Sequence, residues 1–228
     1  ALGYLALIDA ERGRFDAANE RWRTALEIVR ELEQRQLEGS ILTIAAYVAL
    51  FQGTWEACRE HAAEMRAIAD VIDAPYILAM SKTADGYARW FLSRDSTAFS
   101  PMRQAIGELE ESGSRLSMSV NYACLAEVMA LAGARTEARR LAEKARVRAT
   151  AGDRVGEIQA CRALGIAEAR ATPPRIEPAR MHFEQGIELA VARGSRREAA
   201  VTRWRLAEAL ATSEHRAEAL SLTDEVLA

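Results

Sequence analysis

The sequence repeats one phrase, which reads GRFDAANERWRTAL at residues 13–26, GTWEACREHAAEM at 53–65 and GARTEARRLAEKA at 133–145. Each copy begins with glycine and carries a small residue five positions later, followed by small or apolar residues four and seven positions further on. Spacings of three and four place these side chains on one face of a helix. Small residues on such a face let a second helix approach closely, so the phrase predicts pairs of closely crossing helices.

The same pattern recurs in weaker form along the whole chain. The equivalent residues are taken as Ala18, Cys58, Phe99, Ala138, Ala179 and Ala219, which are separated by 40, 41, 39, 41 and 40 positions. The chain then divides into six units, at roughly 1–39, 40–74, 75–113, 114–152, 153–194 and 195–228. We expect these units to form a single repeat domain over residues 1–228 that is a fragment of a longer protein.

Turn-forming residues separate the units and also divide units in two. The boundaries are predicted at Gly39-Ser40, Gly113-Ser114, Gly152-Asp153 and Gly194-Ser195, with Asp73-Ala74-Pro75 at the remaining one. Glycine suits the left-handed residue after a helix, and Ser or Asp can cap the next helix. Turns inside units are marked by Gly13, Gly53 and Gly133, so each unit is predicted to be two helices. The predicted helices are 1–12, 16–36, 41–52, 56–71, 76–93, 99–112, 116–132, 136–150, 154–171, 177–193, 196–211 and 215–228.

Two units are irregular. The third contains SRDSTAFSPM without a glycine turn, and we expect Ser100 to cap its second helix, with Pro101 in the first turn, or the helix to begin a few residues earlier. In the fifth, ATPPRIEPA lengthens the turn and places Pro178 in the first turn of the next helix.

The composition agrees with a helical protein. The chain has 46 alanines, 13 glycines, 5 prolines and only 6% aromatic residues, so helix formers dominate and sheet folds are disfavoured. The net charge of −3 gives no general attraction to nucleic acid, and we expect this segment not to bind it. No apolar run approaches the ~20 residues that span a bilayer, so we expect a cytoplasmic protein without a membrane partner.

The phrase G-x-[FW]-x-x-[AC], followed by small residues four and seven positions later, resembles the tetratricopeptide repeat. The resemblance covers the whole chain and is closest in the first, second and fourth units. It implies an all-α right-handed superhelix, or α-solenoid, of about six helix-turn-helix repeats and about 12 antiparallel helices. The period exceeds the family's usual ~34 residues, which implies longer helices. Such units are similar to the C-terminal repeats of bacterial STAND-type regulatory ATPases and of cyclase- or kinase-fused signalling proteins. Armadillo and HEAT repeats have a compatible period, but the glycine turn favours the tetratricopeptide type.

No sequence motif indicates catalysis. The chain has no phosphate-binding loop, no H-E-x-x-H and no G-x-S-x-G, so we expect no catalytic residues, no metal site and no cofactor. Cys58, Cys124 and Cys161 are widely spaced and are predicted to be core residues. His61 and His182 occupy the same position in their units and are predicted to be solvated or to line the wall of a groove.

The inner groove formed by the first helices is the predicted binding surface. Projection of the repeat position gives Tyr47, Phe51, Lys82, Asp85, Arg89, Glu127 and Arg162. The spacing of Lys82, Asp85 and Arg89 places them on one helical face, which predicts a mixed-charge stripe beside an aromatic one. In the alternative interpretation, Tyr47 and Phe51 belong partly to the core and the stripe is ordinary solvated surface.

These features favour a non-enzymatic protein-interaction or effector-sensing domain of a larger bacterial signalling or transcription regulator. Its groove would bind a protein, a peptide or a small effector, and the parent protein's own output domain is one such partner. The alternatives are a self-standing peptide-binding receptor or scaffold, and an enzyme with its active site in the groove.

The two ends of the chain carry apolar residues without a polar capping helix. They are Leu2, Tyr4, Leu5 and Leu7 at one end and Leu220, Leu222, Val226 and Leu227 at the other. Repeat arrays need polar terminal units to stay soluble. We therefore expect both ends to continue into further repeats, or to pack on another domain or subunit, with self-association through the uncapped ends.

Overall fold

The computed structural model of the chain describes residues 1–211 and 215–227. Within these residues the backbone forms twelve α-helices and no strand, which confirms the all-α prediction and the number of helices. The helices are α1 (Leu2–Glu11), α2 (Phe15–Glu31), α3 (Arg35–Gln52), α4 (Trp55–Ile72), α5 (Pro75–Ser93), α6 (Phe99–Glu111), α7 (Met118–Leu131), α8 (Arg135–Thr150), α9 (Glu157–Ala169), α10 (Ile176–Ala192), α11 (Arg196–Ala211) and α12 (Arg216–Leu227). A short 3₁₀ turn, Ser96–Ala98, precedes α6.

The chain divides into two compact parts, Ala1–Ser114 and Arg115–Ala228. From here on, these parts are called the first and the second unit, and the segments of about 40 residues are called repeats. In each unit consecutive helices pack against one another, and the first helices of successive repeats are also in contact. These contacts join α1 to α3 and α3 to α5 in the first unit, and α7 to α9 and α9 to α11 in the second. Each unit is therefore a stack of helix pairs, as expected for a helical-repeat solenoid. No helix in the described part of the chain combines the length and apolarity needed to cross a membrane.

Most predicted turns are present. Six glycines adopt the left-handed conformation, namely Gly13, Gly53, Gly113, Gly133, Gly152 and Gly194. At the second boundary Asp73 takes this role with φ of 50°, and Pro75 begins α5 as predicted. Pro101 and Pro178 lie in the first turns of α6 and α10, but α6 begins at Phe99, so Ser100 does not cap it.

The boundary predicted at Gly39-Ser40 is wrong. The chain turns instead between Leu32 and Gln34, where Glu33 has φ of 52°, and Gly39 lies buried inside α3. A Cβ on Gly39 would come within 2.5 Å of Cδ1 of Ile77 on α5. The glycine is therefore required by close helix packing and not by a turn, and α3 begins at Arg35, six residues before the predicted start.

Asp153 also acts differently from the prediction. Its carboxylate accepts hydrogen bonds from the backbone N–H of Ser119, at 2.7 Å, and from the Ser119 hydroxyl, at 2.8 Å. Ser119 lies in the first turn of α7, so Asp153 satisfies a free N–H of that earlier helix. The prediction that it caps the next helix, α9, is wrong.

In each of the first five repeats, the second helix or the turn directly before it begins one buried stripe, with side chains spaced by four, three and four residues. The stripes are Ala18, Trp22, Ala25 and Val29; Cys58, Ala62, Met65 and Ala69; Ala98, Met102, Ala105 and Leu109; Ala138, Ala142, Ala145 and Ala149; and Ala179, Phe183, Gly186 and Ala190. In the third repeat the equivalent residue is therefore Ala98 and not Phe99. With this correction, the equivalent residues are Ala18, Cys58, Ala98, Ala138, Ala179 and Ala219, which are 40, 40, 40, 41 and 40 positions apart. Each serves below as the reference residue of its repeat.

The corrected register reveals a second constant position, twelve residues before each reference residue. It is occupied by Ala6, Ala46, Gly86, Ala126, Ala167 and Ala207, and all six are buried. A Cβ on Gly86 would lie 2.5 Å from Cγ of Met102 on α6. This position is where a first helix crosses its second helix, and only small residues fit there.

Candidate functional site

The polar interior of the protein belongs to the first helices of the repeats. In the described residues, the buried polar and charged side chains are Asp9, Glu38, Thr43, Ser81, Thr83, Ser119, Asn121, Glu127, Gln159, Arg162, Glu168, Ser195, Glu198 and Thr202. Every one lies on α1, α3, α5, α7, α9 or α11, except Ser195, which directly precedes α11. The buried polar side chains are therefore concentrated on the first helices, which the sequence predicted to form the groove.

Arg162 is the centre of the most deeply buried charge cluster and is only 1% exposed. Its Nε donates to Oε1 of Glu127 at 2.7 Å, and its Nη2 donates to Oε2 of Glu127 at 3.1 Å. Its Nη1 donates to Oε2 of Glu198 at 2.6 Å and to the hydroxyl of Thr202 at 3.3 Å. The bidentate pair and the second carboxylate join α7, α9 and α11 through one guanidinium.

The two carboxylates of this cluster stay ionised. Burial alone would raise the pKa of Glu198, but the charges of Arg162 and Arg197 outweigh it and lower that pKa to about 2. Burial likewise opposes ionisation of Glu127, and Arg162 again outweighs it, so the pKa of Glu127 is lowered. Oε2 of Glu127 also accepts a hydrogen bond from Gln159 at 2.8 Å.

The sequence placed Glu127 and Arg162 among the groove residues, and the structure brings these two together as a bonded pair. Their side chains are buried, however, so they tie first helices to one another instead of lining an open surface. Sequence reasoning missed their partners Glu198, Gln159 and Thr202. The position of Glu127, eleven residues before the reference residue, is Tyr47, Tyr87 and Glu168 in other repeats, but none of the three missed partners lies at this position, so the pattern gave no signal for them.

Lys82, Asp85 and Arg89 all lie on α5 and are half-buried, but each already has a partner in its own unit. Lys82 contacts both carboxylate oxygens of Glu108 on α6 at 2.8 Å, and Asp85 contacts Nε of Arg59 on α4 at 3.0 Å. Arg89 pairs with Asp95 and donates to Thr97 at 2.9 Å.

These partners belong to the second helices and to the 3₁₀ turn, so the charged stripe faces away from the predicted inner groove. The reference residue of the third repeat is also misplaced, because Phe99 stands one position after the correct residue, Ala98. An error of one residue rotates a helical projection by about 100°. With Ala98 as the reference, the α5 residues that correspond to Tyr47 and Phe51 are Tyr87 and Phe91.

Tyr87 and Phe91 belong to an aromatic cluster at the end of α5. Trp55 stacks on Phe91 with ring centroids 4.7 Å apart and planes 19° apart, and Tyr87 lies 4.9 Å from Phe91. Tyr47 is buried on α3 and Phe51 is half-buried at its end, so both are at least partly core residues. Trp55 and Phe91 are half-buried, which leaves part of two large aromatic rings accessible to a ligand.

An arginine covers one edge of this cluster. The guanidinium of Arg94 lies 5.7 Å from the ring centroid of Phe91 and 5.6 Å from that of Trp90. Arg94 ends α5 with φ of 57° and is exposed. In the described part of the chain no carboxylate pairs with it, unlike Arg59 and Arg89 nearby. Trp55, Phe91 and Arg94, which we call the aromatic patch, combine apolar rings with an available cation.

His61 and His182 are half-buried, and the cysteines are buried. His61 packs edge-on against Trp22, with ring centroids 5.1 Å apart, and burial lowers its pKa, so it is not a solvated residue. Burial also lowers the pKa of His182. The three cysteines are buried, as predicted, and burial raises the pKa of Cys58 to about 12 and that of Cys161 to about 11. Over residues 1–211 and 215–227, no three His, Cys, Asp or Glu side chains form a group that could hold a metal ion.

No family model matches this chain, and no curated protein is significantly similar to it.

Proposed function

We propose that this chain is a non-enzymatic helical-repeat domain that binds a peptide segment of a partner protein on its aromatic patch. The chain would serve as the interaction or sensing part of a larger bacterial signalling or transcription regulator. The segment it binds carries an apolar side chain next to a carboxylate, which is either an acidic side chain or a chain terminus.

The observation that supports this proposal most directly is the combination of stacked, half-buried rings with an exposed arginine that has no internal ion pair. Aromatic and arginine residues dominate the energetics of protein interfaces, because rings bury a large area at low entropic cost and guanidinium binds carboxylates through two parallel hydrogen bonds. By contrast, the charges of Lys82, Asp85 and Arg162 are already neutralised within the fold.

The test uses a phage-displayed library of seven-residue peptides, selected on the immobilised chain. We expect the enriched peptides to pair an aromatic or aliphatic residue with Asp, Glu or a free C-terminus. Their affinity, measured by fluorescence anisotropy, should fall at least ~10-fold for Arg94→Asn and for Phe91→Ala. Asn tolerates the left-handed conformation of Arg94, so this variant preserves the turn.

Arg66→Ala is the matched control, since Arg66 is an exposed arginine on α4 of the same unit. Its affinity for the selected peptides should equal that of the wild type. Enriched peptides that lack acidic groups, or an affinity that Arg94→Asn leaves unchanged, would contradict the proposal.

A further inference from the structure

Arg146 on α8 is a half-buried arginine whose charge is not neutralised within the fold. Its side chain forms no hydrogen bond and no ion pair with residues 1–211 and 215–227. Its charge nevertheless acts on the imidazole of His182 on α10 and on the thiol of Cys161 on α9. A guanidinium in this position has lost part of its hydration without gaining a carboxylate, so it favours the binding of an anion from solution.

Two further arginines lie beside the same histidine, and they share a single carboxylate. Arg139 on α8 and Arg175, which directly precedes α10, contact the two carboxylate oxygens of Glu168 on α9 at 3.0 Å and 2.9 Å. Both arginines also act electrostatically on His182. Three guanidinium groups, those of Arg139, Arg146 and Arg175, therefore face one carboxylate, and the group carries an excess of two positive charges.

His182 adds a hydrogen-bonding group without adding charge. Burial and the charge of Arg146 lower its pKa, Arg139 and Arg175 lower it further, and Glu168 acts in the opposite direction. The imidazole is therefore neutral near pH 7, and a neutral imidazole keeps one N–H donor. Its Nδ1 is buried and has no hydrogen-bond partner within the described residues. We call Arg139, Arg146, Arg175 and His182 the basic cluster.

The first unit fills the same position of the repeat in a different way. His61 and His182 each lie three residues after the reference residue of their repeat. His61 packs edge-on against Trp22, which lies four residues after its own reference residue on the preceding second helix. In α8 the residue at that position is Ala142, and the next residue on the same helical face is Arg146. The second unit therefore places a cation, instead of a large ring, beside its histidine.

We propose that the basic cluster binds a phosphoryl group, either as free phosphate or as the phosphate of a monoester. A phosphate monoester carries close to two negative charges at neutral pH, which matches the excess of two positive charges. Its oxygens accept two parallel hydrogen bonds from Arg146 and one from the imidazole N–H of His182. A carboxylate carries one charge and would leave part of the excess. The site uses no residue of the aromatic patch, so it is independent of the function proposed above.

The experiment follows the imidazole signals of the purified chain by NMR during titration with inorganic phosphate and, separately, with O-phosphoserine. The signals of His182 should shift saturably with a Kd below about 1 mM for at least one of the two probes. The pKa of His182 should rise, because a bound dianion stabilises the imidazolium form. Equal affinities would show that the site recognises phosphate itself, and affinity at least ~10-fold tighter for phosphoserine would show that it recognises a monoester.

A variant and two controls separate this binding from general screening by salt. Arg146→Gln should weaken binding at least ~10-fold, since it removes the two parallel hydrogen bonds. Arg140→Gln, at an exposed arginine of the same helix, should bind like the wild type, and the signals of His61 should not follow those of His182. Circular dichroism verifies that both variants remain helical. An unchanged Kd in Arg146→Gln, or no saturable shift of His182 up to about 20 mM of either probe, would overturn the proposal.

Discussion

Arg162 illustrates how the interior of this protein handles charge. A guanidinium without access to water is stable only if carboxylates occupy its donors, and Glu127 and Glu198 do so from two neighbouring helices. A buried ion pair adds little net stability over an apolar equivalent, but loss of one partner leaves an unpaired buried charge. The cluster therefore acts mainly by fixing which residues of α7, α9 and α11 lie opposite one another.

This cluster predicts a specific dependence of stability on pH. The pKa of Glu198 is about 2 in the folded protein, below its ordinary value of 4.5, so the unfolded chain binds more protons in that interval. The stabilisation is present above pH ~4.5 and is lost as the pH falls toward ~2, and it amounts to about 3 kcal/mol. Urea unfolding at pH 7 should therefore give Glu198→Gln a lower free energy of unfolding than the wild type.

The difference between the two proteins should shrink steadily when the same measurement is made at pH 5, 4 and 3. Glu60→Gln, at an exposed position of α4, controls for the loss of one carboxylate and should track the wild type at each pH. A difference of constant size between pH 7 and pH 3 would show that Glu198 is not held ionised by Arg162.

At the scale of helices, the sequence predicts those features that depend on local chemistry. Gly113 and Gly152 end helices because the left-handed conformation after a helix favours glycine, and this preference is visible without any neighbour. Position 39 is also glycine but for a different reason, because Ile77 approaches Gly39 from another helix. Nothing within residues 33–40 distinguishes these two reasons, so the boundary between the first two repeats could not be placed.

Two helical glycines test this distinction directly. Gly165 lies in α9, where a Cβ would come within 2.7 Å of the ring of Phe183 on α10, whereas Gly107 lies in α6 with no atom within 4 Å of its Cβ position. Alanine is the better helix former by ~1 kcal/mol, so Gly107→Ala should raise the melting temperature. Gly165→Ala should instead lower the free energy of unfolding by ~1–3 kcal/mol, because the added methyl overpacks the core.

Thermal and urea unfolding of both variants, followed by circular dichroism, measures the two effects side by side. The opposite signs form the prediction, since both substitutions improve helix propensity equally. If Gly165→Ala proved as stabilising as Gly107→Ala, Phe183 would have room to move, and the close approach of α9 and α10 would not require glycine.

At the scale of the whole molecule, the presence of six repeats could be predicted from the sequence, but the position of the candidate site could not. The spacing of small residues such as Ala18, Cys58 and Ala138 indicates the repeats directly. A site depends instead on which side chains of different repeats are in contact. The aromatic patch escaped prediction because, with Phe99 as the reference, the position of Phe51 falls on Leu92 instead of Phe91. The contact of Arg162 with Glu198 spans 36 residues, and no local pattern specifies it.

A stack of repeats also predicts where the protein opens first. Stability in such stacks comes from contacts between neighbours, so helices at an end have fewer stabilising contacts than those in the middle. In the second unit α9 packs against α7, α8, α10 and α11, whereas α12 packs chiefly against α11. Amide hydrogen exchange followed by mass spectrometry should therefore be slowest in α9 and at least ~10-fold faster in α12. In the first unit, α3 should exchange more slowly than α1.

The measurement is made on the purified chain in dilute solution. Rates are compared after correction for the intrinsic rate of each peptide. Graded protection would mean that each unit opens from its ends. Equal protection from α1 to α6, or from α7 to α12, would instead mean that the unit opens as a single cooperative block, and ligand binding would then protect all of its helices together.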